Sequence, residues 1–254
     1  MNRKFVFFLV GYFLYFHFLL LSGYAGKEFY IGETYRYNVK WIKLSVGTIT
    51  VEVTGEATIN GRGVYVLEFN GQTNRAASVI YRIRDRIVSY IDKEDHIPLK
   101  LEVSRREGSY KKDAVTLFDY KKKKAYFHNF LDKSSKAYDI PSDVHDILSV
   151  FYHLRFNPIT LNEEQRYEVT FAETIFSIFG TARRKKQIKL AQGKRVFAYY
   201  AEPYAKIGTR EVKDGAVSVY ISADEYQVPV CIVLKAPLFT RITAKLCEDE
   251  PLRQ

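Results

Sequence analysis

"GETYRYNVKWIKLSVGTITVEV", residues 32–53, alternates between apolar and polar side chains along two successive segments. In the second segment, Ile49, Val51 and Val53 alternate with threonine and glutamate. The first segment places apolar residues on one face and polar residues on the other: Tyr35, Tyr37, Val39 and Trp41 against Arg36, Asn38 and Lys40. Because successive side chains of a β-strand point to opposite faces, the stretch predicts a hairpin with one buried face and one wet face.

The same pattern of strands and turns continues along most of the chain. The turn "NGRG" (60–63) precedes the strand "VYVLEF" (64–69). Further strands are predicted near residues 76–91, 98–106, 110–119, 125–130, 165–172, 182–190, 195–202, 215–223, 228–235 and 240–247. Short strands at regular spacing are typical of an antiparallel meander, and open sheets of this size tend to curl or close. We therefore expect an all-β antiparallel meander, curled into a barrel or half-barrel.

One segment changes to helical periodicity. In "IPSDVHDILSVFYHLRF" (140–156) the apolar residues fall on one stripe of a helix: Val144, Ile147, Leu148, Phe151 and Leu154. Ser142 is a natural N-cap. The pattern predicts one amphipathic helix over about 142–155, packed on the curled sheet or plugging it. His145 and His153 would then lie about 12 Å apart along the axis, too far to share a metal.

The N-terminus has the order of a secretory signal peptide. A short basic lead (1–4) precedes an almost wholly apolar run (5–21), and Gly23-Tyr24-Ala25 supplies small residues at the two positions that matter for cleavage. This predicts a signal peptide over 1–25 and a single β-rich domain over 26–254; an uncleaved membrane anchor is the alternative. N-terminal sequencing of the exported protein tests the cut before Gly26, and recovery of only full-length chain in membranes would contradict it.

The charge of the chain indicates anionic partners. The formal net charge is +10, and loss of the two cations in 1–25 leaves +8. A basic protein in the periplasm or cell envelope attracts phospholipid headgroups and acidic polymers, whereas nucleic acid is not expected there. The lysine and arginine runs at 121–124 and 183–186 are typical of solvated strand edges, with weak attraction to a membrane surface.

Several blocks together resemble a known family. Besides the opening stretch, these are "YRIRDRIVSYID" (81–92), "RREGSYKKDAVTLFDY" (105–120), "PSDVHDILSVFYHLR" (141–155) and "VSVYISADEYQVPVCIVLK" (217–235). In this order they are similar to the bacterial exported family catalogued as domain of unknown function 3108. The resemblance implies an exported, mainly β domain with a curled or barrel-like sheet. It supplies no catalytic residues.

A carboxylate interrupts the apolar face of the strand near 81–91. If this strand and the next pair around "DKEDHIP" with Ile91 opposite Leu99, every apolar residue of that face meets another, and Asp85 lies opposite Arg105. Arginine favours bidentate pairing with carboxylates. The register therefore predicts a semi-buried structural ion pair rather than a catalytic acid.

Two further sets of residues are candidates for a site or a cross-link. The aromatic residues Tyr35, Tyr37, Trp41 and Tyr81 are expected to face the inside of the curled sheet. Aromatic stripes in strands are usually core, and the lining of a ligand pocket is the alternative. Cys231 and Cys247 would lie opposite each other if their hairpin turned near Phe239, and a turn at 236–239 would shift them apart. The oxidising compartment permits a disulfide but does not decide between these hairpins.

No short catalytic motif identifies an activity, because nucleophile elbow, zinc-protease, P-loop, dinucleotide and C-x-x-C patterns are all absent from the sequence. The leading hypothesis is a non-enzymatic envelope protein that binds or handles a lipid-like or polymeric ligand, with no cofactor and no metal. One alternative is a carbohydrate- or envelope-active hydrolase that uses Asp85 or Asp143 as its acid. The other is a structural partner in a surface assembly.

Overall fold

This computed structural model describes residues 28–171, 173–212, 217–235 and 241–247. Within them lie seventeen strands and two short helices, joined by turns and loops. The strands are β1 (Thr34–Trp41), β2 (Leu44–Ile59), β3 (Arg62–Thr73), β4 (Arg84–Asp92), β5 (Pro98–Glu107), β6 (Tyr110–Asp119), β7 (Lys124–Asn129), β8 (Ser135–Asp139), β9 (His145–Asp146), β10 (Glu164–Phe171), β11 (Thr174–Lys189), β12 (Arg195–Ala201), β13 (Tyr204–Ile207), β14 (Arg210–Val212), β15 (Val217–Ser222), β16 (Pro229–Lys235) and β17 (Arg241–Leu246). The helices are α1 (Ala77–Ile80) and α2 (Ser149–His153).

Strand β1 lies at the centre of the sheet. It pairs with β2 on one side, from which antiparallel pairings run in chain order to β8. On its other side it pairs with β17, followed by β16, β15, β12, β11 and β10. The β13–β14 hairpin pairs alongside β11. The predicted all-β meander, curled into an unclosed half-barrel, is confirmed.

The two halves of the curled sheet meet through the segment between β8 and β10. Strand β9 is the one parallel strand of the described sheet and pairs with β10. The Ser89 hydroxyl of β4 donates a hydrogen bond to the Asp146 carboxylate of β9. The hydroxyls of Tyr138 and Thr170 lie 2.9 Å apart, so β8 also touches β10. Side chains and β9 therefore link the two ends where main-chain pairing does not close the sheet.

The predicted helix over 142–155 is mostly wrong, because α2 begins only at Ser149. His145 and Asp146 form β9 instead. The Asp146 Oδ1 accepts hydrogen bonds of 2.8 Å from the backbone N–H groups of both Leu148 and Ser149. A carboxylate that binds the N–H groups two and three residues ahead stabilises a turn at that point, so the helix begins only after this turn although the apolar stripe extends further back.

A fully buried ion pair crosses the core. Arg155 follows α2, and Glu33 precedes β1; neither side chain is more than 1% exposed. The guanidinium binds the carboxylate in a bidentate manner, with Nη2–Oε1 and Nη1–Oε2 distances of 2.5 and 3.1 Å. The Tyr35 hydroxyl donates to Glu33 Oε1 at 2.8 Å, and Arg155 Nε donates to the Tyr226 carbonyl at 3.3 Å. The pair thus joins the N-terminus of β1, the end of α2 and the β15–β16 loop.

Aromatic rings complete the surroundings of the Arg155 charge. Its guanidinium carbon lies 5.2, 5.0 and 5.6 Å from the ring centres of Phe29, Tyr152 and Tyr226, distances at which a ring face attracts a cation. Burial alone would lower the pKa of Arg155, but the hydrogen bonds and charge of Glu33 outweigh it and hold the pKa above its ordinary value. Arg155 is therefore charged at every pH at which the protein is folded.

Removing one partner of this pair should strongly destabilise the protein. Arg155→Met leaves the Glu33 carboxylate buried without a counter-charge, and we expect a loss of about 3–5 kcal/mol in the free energy of unfolding measured with urea. The double variant Glu33→Leu/Arg155→Met should lose less than the sum of the two single variants. Lys124→Met, which breaks an exposed ion pair with Asp139, is the control and should leave the unfolding midpoint unchanged. Additive losses in the double variant would contradict the pairing.

Candidate functional site

Two apolar cavities lie against α2. The large cavity, of about 650 Å³, is bounded by α2 and the strands from β10 to β15, through residues such as Leu154, Ile159, Tyr167, Ile178, Val219 and Ile221. The small cavity, of about 270 Å³, is bounded by α2, β1 to β4 and β16, through residues such as Tyr35, Tyr37, Ile49, Phe69, Tyr152 and Ile232. Phe151 of α2 lines both cavities, so the two spaces meet the same side chain.

Two polar side chains that line the large cavity, Gln165 and Tyr167, are bonded to each other, and Glu211 also lines it. The Tyr167 hydroxyl donates to Gln165 Oε1 at 2.9 Å, and Gln165 Nε2 donates to the Pro158 carbonyl at 3.4 Å. Burial raises the pKa of Tyr167 to about 12, so its hydroxyl stays neutral. The remaining wall is mainly aliphatic and aromatic. Such a lining suits a hydrocarbon and offers few groups that could bind a sugar.

Tyr152, which lines the small cavity, has a buried hydroxyl. Tyr152 is only 6% exposed, and its Oη has no hydrogen bond within the part of the chain that the structure describes. Burial raises the pKa of Tyr152 well above its ordinary value, so it remains a neutral donor. A buried donor left unbonded costs about 1–3 kcal/mol.

The predicted pocket residues divide into two groups. Tyr35 and Tyr37 are buried and line the small cavity; that a ligand contacts them stays a prediction. Trp41 and Tyr81 were predicted to face inward, which is wrong, because they are 46% and 51% exposed. A bulge after Val39 changes the direction in which the side chains at the end of β1 point. Tyr81 follows α1, where a strand was expected, and its hydroxyl donates to the Glu107 carbonyl on the outside.

The register predicted for β4 and β5 is correct over most of its length. Ser89 lies opposite Leu101, and Ile87 lies opposite Val103. Only Ile91 differs, because a bulge places it opposite Pro98. The requirement that the apolar residues of β4 lie opposite those of β5 therefore predicted the correct pairing.

Asp85 and Arg105 are in contact, but the predicted bidentate geometry is wrong. Arg105 Nε lies 3.7 Å from Asp85 Oδ2, whereas the same nitrogen donates to Glu107 Oε1 at 2.8 Å. Asp85 instead accepts the Arg106 backbone N–H at 2.9 Å. Burial raises the pKa of Asp85, the Arg106 bond opposes this, and the Glu107 carboxyl raises it further. Asp85 lines neither cavity, and Asp143 is exposed.

Cys231 and Cys247 are not bridged in the structure, so the candidate disulfide is not formed. Cys231 lies opposite Lys245 rather than Cys247, because the β16–β17 pairing is shifted by two residues from the register that a bridge needs. The turn that sets this register lies outside the described residues. Burial raises the pKa of the Cys231 thiol, which makes it a poor nucleophile.

His145 and His153 are neighbours, contrary to the 12 Å separation expected on one helix. Their ring centres lie 4.2 Å apart, because His145 belongs to β9 rather than α2. Burial and the nearby His153 lower the pKa of His145 to about 3. Burial also lowers the pKa of His153. Among the described residues no group of three or more His, Cys, Asp or Glu could hold a metal, and neither α1 nor α2 is long and apolar enough to cross a membrane.

Comparison with known proteins places the chain in a family. The family described as "Protein of unknown function (DUF3108)" matches residues 36–245. The chain belongs to this family. No curated protein matches it. The DUF3108 chain is similar in fold to a crystal structure of a beta-barrel-like protein of domain of unknown function DUF1849 from Brucella abortus, with a TM-score of 0.55, 5% identity, and coverage of 86% of this chain and 96% of that chain.

A second solved structure is more distant from this DUF3108 chain. It is a duf1089 family protein from Pseudomonas aeruginosa, with a TM-score of 0.40, 11% identity, and coverage of 75% of this chain and 90% of that chain. At 5% identity the Brucella protein supports the curled β fold alone.

Protonation of His145 should destabilise the fold in acid. In the unfolded chain this imidazole takes up a proton near its ordinary pKa of 6.5, but in the folded chain only near 3. Between these values the unfolded state binds more protons, so the free energy of unfolding falls as pH falls, by up to about 1.4 kcal/mol per pH unit. We expect His145→Gln to flatten this part of the profile in urea unfolding series. An equal slope in wild type and variant would show that His145 is not the group responsible.

Proposed function

We propose that the protein binds an apolar ligand of the acyl-chain type inside the curled sheet, without catalysing a reaction. The large cavity carries this proposal. Its volume of about 650 Å³ lies within the roughly 300–1,000 Å³ range of ligand sites. Its wall is mainly hydrocarbon, and Gln165 and Tyr167, which line it, are bonded to each other. A hydrocarbon chain gains free energy from such a wall, whereas a sugar would lose its hydrogen bonds to water there.

The fit to a lipid-like ligand is further supported by the predicted location. A signal peptide over 1–25 would deliver the protein to the cell envelope, where acyl chains are abundant. The hydrolase alternative gains no support, because Asp85 and Asp143 do not line either cavity.

Filling the large cavity should abolish binding while the fold survives. Ala201 lines this cavity, so Ala201→Phe places a ring where the ligand chain would lie. With a fluorescent fatty acid as the probe, we expect affinity to fall at least about tenfold, a change of 1.4 kcal/mol. The unfolding midpoint should stay close to wild type, because the added ring occupies existing space.

The matched control is Ala137→Phe on the exposed edge of β8, which lines neither cavity. It should bind the probe as wild type does. Equal affinity in Ala201→Phe and wild type, with both proteins folded, would show that the large cavity is not the binding site.

A further inference from the structure

Two connections lie side by side at one end of the curled sheet. One is the β1–β2 turn, and the other is the β3–β4 connection, which carries α1. Asn74 joins them: its backbone N–H donates to the Val46 carbonyl at 2.9 Å, and its side-chain amide donates to the Ser45 carbonyl at 2.6 Å. We call the residues 41–44 and 75–84 the rim.

The rim exposes large apolar side chains at two tips, which are α1 and the β1–β2 turn. Val79 and Ile80 of α1 are 85% and 86% exposed, and α1 has no buried residue. Leu44 is 71% exposed in the neighbouring turn, beside Ile42 and Trp41, which are also exposed. Surface turns are normally built from Gly, Pro, Asn, Asp and Ser. Single exposed apolar residues need no explanation, but a group of them marks a contact surface.

The same rim carries only positive charge. Lys43, Arg75, Arg82 and Arg84 lie within it, and its sequence contains no acidic residue. Arg75, Arg82 and Arg84 surround a surface recess of about 280 Å³ together with Ser78 and Thr73, whose hydroxyls lie 2.8 Å apart. No acidic side chain among the described residues pairs with these three arginines. The recess thus presents guanidinium and hydroxyl groups, which are phosphate ligands.

We propose that the rim docks on the surface of an anionic phospholipid membrane. Val79 and Ile80 would enter the boundary between headgroups and acyl chains, and the arginines would bind lipid phosphates around them, as apolar and cationic groups do in interfacial segments. A protein partner fits less well, because the rim sequence carries cations and no acidic residue. An anionic membrane presents the uniformly negative surface that complements such a charge. This docking is independent of ligand binding in the cavities.

The chain contains a built-in probe of this contact. Trp41 is its one tryptophan and lies in the rim. Vesicles of phosphatidylcholine with phosphatidylglycerol should shift its emission to the blue, and brominated lipids should quench it. Pure phosphatidylcholine vesicles should do neither, and high salt should reverse the shift. These vesicle experiments use the chain from Gly26 onward. The apolar run 5–21 would itself enter the vesicles, and every described strand and helix lies beyond residue 25.

Two variants separate the apolar from the cationic contribution in vesicle co-sedimentation. Arg75→Gln/Arg82→Gln/Arg84→Gln should weaken binding by at least about tenfold, since each cation near an anionic surface contributes about fivefold. Val79→Ser/Ile80→Ser should abolish quenching by brominated lipids. The control, Lys121→Gln/Lys122→Gln/Lys123→Gln, removes the same charge from the exposed turn after β6, at the opposite end of the sheet.

The proposal is overturned if wild type fails to bind anionic vesicles, if it binds neutral vesicles equally well, or if the lysine control loses as much binding as the arginine variant. Normal binding by the arginine variant overturns it as well. All the substituted side chains except Arg84 lie on exposed connections or beside them, so we expect the variants to unfold at midpoints close to that of the wild type. The tryptophan assay on the wild-type protein tests the docking without any variant.

Discussion

The buried bond between Glu33 and Arg155 is the constraint on which the interior depends. Transfer of two charges out of water is costly, and the cost is offset only where geometry and additional hydrogen bonds are good. Here the bidentate contact, the Tyr35 hydroxyl, the Tyr226 carbonyl and the aromatic rings supply both. The bond fixes the end of α2 against the start of β1. It therefore also positions Phe151, which lines both cavities.

The sequence predicted what depends on local patterns and adjacent strands. Alternation along 32–53 indicated the hairpin of β1 and β2, and the matching of apolar faces indicated that Ile87 lies opposite Val103. Tyr35 and Tyr37 were correctly placed inside, because they lie in the regular part of β1. These features rest on the two-residue repeat of a strand, which one chain segment and its neighbour already contain.

Errors arose where one local contact changes the direction of the backbone. The apolar stripe over 142–155 is real, but the Asp146 carboxylate stabilises a turn before α2, and His145 lies in β9. Replacement of a predicted strand by α1 turned Tyr81 outward. The large cavity was not foreseen, because its wall combines α2 with strands from β10 to β15. The buried role of Arg155 was missed too, although an arginine within an apolar stripe was an available indication.

The interior and the rim have different chemistry, and each fits a different contact with lipid. The mainly hydrocarbon wall makes the large cavity suited to an apolar chain. Arginines without an acidic partner among the described residues, together with exposed aliphatic side chains, make the rim suited to a surface of phosphates over hydrocarbon. Family membership and the similar fold of the Brucella protein agree with the curled sheet and leave the ligand to experiment.

Native mass spectrometry of protein purified without denaturant or detergent tests the central claim, that the curled sheet encloses an apolar ligand, most directly. The account predicts a population whose mass exceeds that of the chain by that of an acyl-chain molecule. Organic extraction should release the same molecule, and the Ala201→Phe protein should lack it. Detection of the bare chain alone, together with no uptake of added fatty acid by the folded protein, would contradict the account.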